Sequence, residues 1–409
     1  MTETLVEHAD DLVHRIMATR EGHADPYALY RRLQAVAPLH RSDLDGNWYV
    51  TGFDAARQIL GDPRVGKNKQ FIVARHGVDP ERLRIAQRRP RRSMLTVNPP
   101  EHTRLRGAAK GAFIPPAMSA VQPRVAAIID ERLDRLAELG EADVMAELAF
   151  PMPVTVVGEM VGVPEEDRAW FRPLMRTLVS SDSFKRSPEE LKRVEQASDE
   201  LEAYFFDLIA RRRKEPRDDL LTYFIGQADE GVLDEDELFS TVTLLFFAGF
   251  LTTTNLIGNG LMALFDHPAE QARLWEQPEL AASTVEEIVR FDSPIQFVHR
   301  NVLEDLELDG QHLSAGDVVM VLLAAANRDP ARFADPDRFD IGRPDNIHLA
   351  FAWGLHFCLG ARLARMEGQL VLAGLVERFA RVEPAGEPVR NPGLQIRGFD
   401  SLPVRFTPR

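Results

Sequence analysis

Apolar and polar residues alternate along this chain in two patterns, one typical of helices and one typical of strands. Helical periodicity predominates from about residue 120 to residue 290, and a last helix is predicted from about Cys358 to Phe379. Short apolar runs predict strands at Asn47–Thr51, across 295–325 and near the C-terminus. The clearest of them is Leu306–Leu308, which precedes an Asp309-Gly310 turn. The pattern therefore predicts a mainly α protein with a minor β component.

One apolar stretch, Val242–Phe265, contains no charged residue and is long enough to span a bilayer. It also contains four threonines, two asparagines and three glycines, and no other part of the chain resembles a membrane segment. A long helix buried inside a large globular protein explains these residues better. We therefore predict a central buried helix and no membrane partner.

Composition narrows the class of protein. The 409 residues are 44% apolar, and 49 Lys and Arg against 63 Asp and Glu give a net charge of −14. This balance favours a globular protein and argues against nucleic acid as the main partner. Met1–Gly22 lacks the apolar core of a signal peptide or membrane anchor. We expect a single domain over 1–409, with no separate reductase domain, working in the cytoplasm.

Cys358 is the only cysteine, which excludes a disulfide framework, a four-cysteine zinc site and a cysteine-ligated iron–sulfur cluster. A lone cysteine is ordinarily a buried, inert thiol. Here, however, it follows an apolar loop containing Gly354 and precedes a predicted helix, whose unpaired amides would stabilise a thiolate. His356 is near enough to donate a hydrogen bond to an anionic cofactor. Haem is the remaining cofactor that needs only one protein sulfur.

A second candidate group begins at Asn98-Pro99-Pro100-Glu101, which has the pattern of a helix start. Asn98 is predicted as the N-cap, Pro99 as the first helical residue and Glu101 as the partner in a capping box. His102 and Arg106 then lie one turn apart on one face. Together they could bind a pair of carboxylates, although an ordinary surface pair has the same spacing.

These features together resemble the cytochrome P450 family. The segment from Phe351 to Arg365 is similar to the family's haem-binding signature, and Glu287 and Arg290 lie at the family's distance before it. The likeness covers nearly the whole chain and is closest to soluble bacterial members that tailor secondary metabolites. It implies a triangular, mainly helical prism that holds haem b between the central helix and the helix bearing the cysteine.

The resemblance also assigns roles to individual residues. It implies that Cys358 binds the haem iron and that Glu287 and Arg290 form an ion-pair network with Arg338. Phe351 and Gly354 belong to the cysteine loop. The implied partners of the haem propionates are His102, Arg106, Arg300, His348 and His356.

The cysteine loop departs from the family pattern at Ala352 and Trp353, where a glycine and a small or polar residue are usual. Gly354 remains, so the turn that presents the sulfur should be preserved. Alanine resists positive φ, so Ala352 is expected to constrain the backbone.

A second departure lies on the central helix. The segment Ala248-Gly249-Phe250-Leu251-Thr252 resembles the family's oxygen-binding stretch, in which an acid precedes the threonine and helps to deliver protons. Leucine can do no acid–base work. Three accounts stay open: water ordered by Thr253 or Asn255, a hydroxyl of the substrate, or an unusual oxidation.

We expect the pocket to suit a bulky, mostly apolar ligand. The residues expected to line it are Phe247, Phe250, Ile295, Gln296, Val298 and Phe399. An arginine run is either a solvated basic loop or a docking site for an acidic substrate or an acyl carrier protein; it comprises Arg82, Arg84, Arg88, Arg89, Arg91 and Arg92.

The leading hypothesis is a monooxygenase that hydroxylates or epoxidises a polyketide-like metabolite, with electrons from a ferredoxin and its reductase. Leu251 leaves open an atypical catalyst of ring formation, coupling or peroxide-driven oxidation. A haem-binding sensor without turnover is the alternative from another class of protein.

Overall fold

The computed structural model describes residues 8–67, 92–179 and 188–409. Helices dominate these ranges, as the periodicity predicts. The α-helices are α1 Ala9–Ala18, α2 Arg20–Ala24, α3 Tyr27–Val36, α4 Phe53–Gly61, α5 Glu101–Lys110, α6 Pro115–Leu139, α7 Pro151–Val161, α8 Glu165–Arg168, α9 Phe171–Val179, α10 Pro188–Lys214, α11 Leu220–Asp229, α12 Glu235–Asp266, α13 Pro268–Glu276, α14 Ala281–Phe291, α15 Leu323–Ala326 and α16 Ala361–Arg378. Short 3₁₀ turns form at Gly111–Phe113, Pro278–Leu280 and Gly354–His356, and a π-helical turn at Met145–Ala149.

The strands form small sheets around the helices. They are β1 Leu39–Arg41, β2 Trp48–Val50, β3 Val65–Gly66, β4 Glu141–Asp143, β5 Val298–Val302, β6 Leu306–Leu308, β7 Gln311–Leu313, β8 Val318–Val321, β9 Phe379–Pro384, β10 Val389–Arg390, β11 Phe399–Ser401 and β12 Pro403–Pro408. The largest sheet has the order β1-β2-β8-β5-β3, and only β2 and β8 run parallel within it. The predicted Leu306–Leu308 hairpin is confirmed, with Asp309 and Gly310 both at positive φ.

The predicted central helix is α12. It begins with a capping box in which Asp234 and Glu237 each bond the other's backbone amide. Glycines let other helices approach it closely: a Cβ on Gly249 would lie 2.8 Å from Val157 of α7, and one on Gly260 would lie 2.8 Å from Ile288 of α14. Helix α12 therefore forms the axis on which the others pack.

Among the described residues, α12 alone is long and apolar enough to cross a membrane as a single helix, and a bent pair of helices, Glu101–Phe113 with Pro115–Leu139, passes the same test jointly. However, 61% of the apolar window of α12 is buried within the protein. This is the expected property of a core helix.

The predicted start of α5 is wrong. The helix begins at Glu101 rather than Pro99, and no side chain caps it. Asn98 instead turns toward the end of β3, where its side chain accepts from the Lys67 amide and donates to the Lys67 carbonyl, both at 2.8 Å. Asn98 thus makes two hydrogen bonds to a distant segment instead of one to its own helix. Residue spacing along the sequence does not reveal such a distant partner.

Candidate active site

The cysteine lies in a tight loop before α16. The Cys358 amide donates to the Phe351 carbonyl at 2.9 Å, which closes the loop. Gly354 has φ +67°, and a Cβ there would lie 2.4 Å from the Leu60 carbonyl oxygen, so only glycine fits. Ala352 adopts φ +58°, although alanine resists positive φ, so the loop holds this residue in a strained conformation. The loop thus presents the sulfur at a fixed place.

The helix that follows the loop starts later than predicted. Helix α16 begins at Ala361 with Gly360 as its N-cap, so Cys358 precedes the helix rather than opening it. The Gly360 amide still hydrogen-bonds the sulfur. The expected donation from an amide at the helix start is therefore present, but it comes from the capping turn.

The Cys358 side chain is exposed, although protein atoms crowd around it. Burial raises the pKa of the thiol above its ordinary value, while the Gly360 amide and the charges of Arg106 and Arg365 act in the opposite direction. The side chain is thus accessible yet surrounded by protein atoms, as in a recess. A thiol in this setting keeps its proton at neutral pH unless a metal cation displaces it.

One face of the central helix is accessible in the middle of an otherwise buried stretch. Residues before and after it along α12 are buried, whereas Ala248 is exposed and its neighbours on the same face are partly exposed. This pocket stripe recurs at helical spacing and consists of Leu244, Phe247, Ala248, Leu251 and Thr252. Leu251 packs on the same apolar cluster as Leu359, the residue after the cysteine.

Thr252 supplies the polar group of the pocket stripe. Its Oγ1 donates to the Ala248 carbonyl at 3.2 Å, a bond along the helix that leaves the oxygen able to accept. Thr253 is buried and donates to the Gly249 carbonyl at 3.4 Å. Gly249 itself packs against Val157, so it serves helix packing rather than lining the pocket.

A cluster of basic groups lies beside the cysteine loop. The rings of His102 and His356 stack edge to face at 4.6 Å between centroids, and the Arg106 guanidinium donates to the Phe357 carbonyl at 2.7 Å. Arg300 is buried and bonds the neighbouring His299 carbonyl at 3.0 Å. We call His102, Arg106, Arg300 and His356 the basic cluster.

The electrostatics of the basic cluster are one-sided. Burial and the charges of Arg300 and His102 lower the pKa of His356 to about 3, and burial lowers the pKa of Arg300 to about 10. Within the described ranges, neither ring nitrogen of His102 nor Nε2 of His356 has a hydrogen-bond partner. The same ranges supply no carboxylate to any of the four. Two guanidiniums and two neutral imidazoles without an acid partner fit an anionic ligand.

The Glu287 network differs from the prediction in one member. Glu287 and Arg290 are fully buried and form two hydrogen bonds, of 2.8 and 2.7 Å. The Arg338 side chain points outward and is 62% exposed; only its carbonyl accepts from Arg290, at 3.2 Å. Arg343 takes the predicted place, with its Nε 3.3 Å from Glu287. The network anchors the irregular segment that leads into the cysteine loop.

His348 is not available to a propionate, contrary to expectation. Its Nε2 lies 3.1 Å from a Glu286 oxygen, and its Nδ1 accepts from the Ala350 amide at 3.2 Å. Arg365 binds the same Glu286 carboxylate at 2.6 and 2.9 Å. Both histidine nitrogens are therefore occupied within this triad. Nothing in the local sequence singles out Glu286 or Arg365, so sequence reasoning missed them.

Half of the expected pocket residues lie in the core. Gln296 is buried and bonds the hydroxyls of Tyr27 and Tyr30. Phe250 and Phe399 are also buried and pack within apolar clusters. The partly exposed residues that can still border the pocket are Phe247, Ile295 and Val298.

A second buried acid lies on α16. Both carboxylate oxygens of Glu367 lack a hydrogen bond among the described residues, and burial raises the pKa of this group to about 8, partly offset by the nearby Thr253 hydroxyl. Glu367 is therefore neutral at pH 7. Elsewhere, a cleft of about 430 Å³ lies beside Asp292 and Arg397, far along the chain from the cysteine loop. Its positive and negative side chains balance, which indicates no particular ligand.

The arrangement as a whole can hold a metal cofactor that carries carboxylates. Cys358 offers a single sulfur to the metal, the basic cluster offers partners for the anionic edge, and the pocket stripe bounds an apolar space for a second molecule.

Comparison with known proteins agrees with this geometry. The cytochrome P450 family profile matches residues 63–279 and 275–399. The cytochrome P450 monooxygenase PikC of Streptomyces venezuelae is 40% identical over 394 residues, covering 94% of this chain and 91% of PikC. The polyketide biosynthesis cytochrome P450 PksS of Bacillus subtilis is 33% identical over 401 residues, covering 95% of this chain and 97% of PksS.

A solved structure extends the likeness to the fold. P450BioI in complex with an acyl carrier protein ligated to hexadec-9Z-enoic acid superimposes with a TM-score of 0.87 and 34% identity, covering 95% of this chain and 99% of that one. The matches in profile, sequence and fold all extend along most of the chain. This protein therefore belongs to the cytochrome P450 family and is a haem-iron monooxygenase.

Proposed function

We propose that the protein hydroxylates or epoxidises a bulky, mostly apolar secondary metabolite such as a polyketide or macrolide. The observation that carries this proposal is the pocket stripe, which is apolar except for Thr252 and shares an apolar cluster with Leu359 beside the cysteine. Such a lining favours an apolar substrate held near one polar group. PksS, which is named for polyketide biosynthesis, supports the substrate class.

The residues of the site fit haem b. Cys358 would bind the iron, and His102, Arg106, Arg300 and His356 would hold the two propionates. The unpartnered ring nitrogens of His102 and His356 are the evidence for this fit, because buried polar groups normally have partners. When bound, haem supplies the redox chemistry that activates dioxygen.

Thr252 and Leu251 set the local proton chemistry. The Thr252 hydroxyl holds a proton in its bond to Ala248 and can release that bond to donate toward the pocket. Thr253 and Asn255 are buried, and Asn255 packs against Gly398. Neither is placed to order water in the pocket, so we propose that Thr252 receives its proton from water it binds itself or from a substrate hydroxyl.

Electrons would come from a ferredoxin and its reductase, and the protein would act in the cytoplasm. A carrier-bound substrate is also compatible with the family, since P450BioI was solved with an acyl carrier protein. The arginine run considered for such docking lies outside the described residues except for Arg92, whose guanidinium is 3.7 Å from Glu101.

The carbon monoxide difference spectrum of the reduced protein tests the haem site. Thiolate ligation through Cys358 should give the red-shifted Soret band of the family, and Cys358→His should lose that shift while keeping some haem. An unshifted band in the native protein would overturn the assignment of Cys358.

Turnover assays test the activity itself. With a ferredoxin and reductase present, addition of a polyketide substrate should accelerate consumption of reduced nicotinamide cofactor and yield an oxygenated product. A substrate that perturbs the haem spectrum without accelerating consumption would instead indicate a sensor.

Leu251 favours one alternative, an atypical catalyst of ring formation, coupling or peroxide-driven oxidation. If proton delivery limits turnover, Leu251→Glu should raise oxygen-driven turnover several-fold, because a carboxyl can pass protons to Thr252. Leu251→Gln is the matched control, since it adds polarity without an acid. Equal rates in both variants, with normal haem content, would count against a limiting proton step.

A further inference from the structure

The triad of Glu286, Arg365 and His348 contacts the start of the cysteine loop at Ala350 and Phe351. Glu286 accepts from Arg365 Nε at 2.6 Å and Nη2 at 2.9 Å, and its other contact is His348 Nε2 at 3.1 Å. The side chains of Glu286 and Arg365 are only 27% and 30% exposed. A bidentate, partly buried pair of this kind has a defined geometry.

The triad is connected to the sulfur through Phe351. The Arg365 guanidinium lies 4.3 Å from the centroid of the Phe351 ring, and His348 binds the Ala350 amide just before it. The Phe351 carbonyl in turn accepts from the Cys358 amide at 2.9 Å. Any movement of Arg365 or His348 therefore reaches the backbone that positions the cysteine.

The triad is also connected to the sulfur through charge. The Arg365 guanidinium lies over the ring of Phe351, the residue whose carbonyl accepts from the Cys358 amide, so its positive charge lies near the sulfur. Although burial opposes it, hydrogen bonds from His348 and Arg365 lower the pKa of Glu286 to about 2, so Glu286 is a carboxylate at any working pH. Glu286 thus partly cancels the positive charge that Arg365 would otherwise present to the sulfur.

We propose that Glu286 and Arg365 are positioning residues that set how strongly the Cys358 sulfur donates electrons to the iron, and thereby the reduction potential of the haem. This inference rests on the proposed role of Cys358 as iron ligand. Reduction adds negative charge to the site, so a nearby cation raises the potential and a nearby anion lowers it. The two partners therefore have opposite electrostatic effects, although they share one hydrogen-bonded unit.

Reduction potentials of the haem-loaded protein test this sign rule. Arg365→Gln should shift the potential to more negative values, and Glu286→Gln should shift it to more positive values because Arg365 is left uncompensated. The double variant should return toward the native potential, and Arg365→Lys, which keeps the charge, should lie close to it. Arg362→Gln is the control, since Arg362 is an exposed arginine on the same helix.

Opposite shifts in the two single variants would support the proposal. Shifts in the same direction would show that the triad only holds the loop in place, and unchanged potentials would show no coupling; either result overturns the proposal. If Arg365→Gln does not retain haem, Glu286→Gln and Arg365→Lys decide the matter, and no positive shift in Glu286→Gln overturns it. Loss of the thiolate-type carbon monoxide band in the native protein would instead refute the ligand assignment.

Discussion

Two groups of buried charges flank the cysteine loop, and they are built in opposite ways. In the Glu287 network, buried arginines meet a buried carboxylate and backbone carbonyls, so every charged group has a partner within the chain. In the basic cluster, the described residues bring two guanidiniums and two neutral imidazoles together without an acid. The first arrangement stabilises the fold by itself. The second costs stability by itself and becomes favourable when an anionic ligand binds. Buried polar groups that have partners within the chain therefore belong to the scaffold, and those without partners mark the binding site.

Breaking the compensated network should have the largest effect. Glu287→Gln leaves Arg290 buried without its counter-charge, and loss of one partner of a buried pair costs about 3–5 kcal/mol. Urea unfolding monitored by circular dichroism should show this loss in the free energy of unfolding. Arg338→Gln is the control, because its exposed guanidinium lies outside the network; an equal loss there would contradict the assignment of Arg343.

Glu367 is a third kind of buried ionisable group: it has no counter-charge among the described residues and stays neutral by keeping its proton. Its pKa is raised to about 8 in the folded protein, so the unfolded chain loses its proton first as pH rises from about 4.5. The free energy of unfolding should therefore decrease between about pH 4.5 and pH 8, by an amount on the order of a few kcal/mol.

Glu367→Gln should remove this part of the pH dependence, so that the variant gains stability over the native protein at pH 9 more than at pH 6. Thermal unfolding at both pH values measures the difference. Glu377→Gln, an exposed glutamate on the same helix, should show no such gain. A constant difference between native protein and Glu367→Gln at both pH values would contradict the raised pKa.

A substitution in the basic cluster should weaken haem binding and leave the stability of the haem-free protein intact, the opposite of a substitution in the Glu287 network. Arg300→Met removes a buried cation, so the haem-free protein should be no less stable than the native one. Haem binding should weaken by about 10- to 100-fold, since a hydrogen bond to a charged group contributes about 1.5–3 kcal/mol. Transfer of haem to apomyoglobin measures the affinity. Loss of haem-free stability would place Arg300 in the scaffold instead.

Ala352 should give the smallest effect. Its φ of +58° costs an L-residue about 1–2 kcal/mol, which glycine would not incur. Glycine also gives the unfolded chain more conformational freedom, and this cancels part of the gain in stability. Ala352→Gly is therefore expected to stabilise the protein by about 0.5 kcal/mol in thermal unfolding. Ala350→Gly, two residues earlier and without positive φ, should destabilise it; stabilisation by both would mean that loop strain is not the cause.

The sequence carried enough information for the main elements of the site. The uncharged stretch around Thr252 predicted a central helix, and the loop before Cys358 predicted a sulfur held by glycine and backbone amides. The i, i+3 spacing of Glu287 and Arg290 placed them on one face, where they pair. These features depend on residues a few positions apart, whose relative placement is set by regular backbone geometry.

Only the tertiary structure decided which distant partners meet. Arg343 rather than Arg338 reaches Glu287, and His348 binds Glu286 instead of standing free for a ligand. Those partners lie more than fifty residues apart and reach each other through irregular segments, where spacing along the chain does not fix direction. Local periodicity thus determined the helices and the cysteine loop, while packing determined which charges are compensated and which are left for a cofactor.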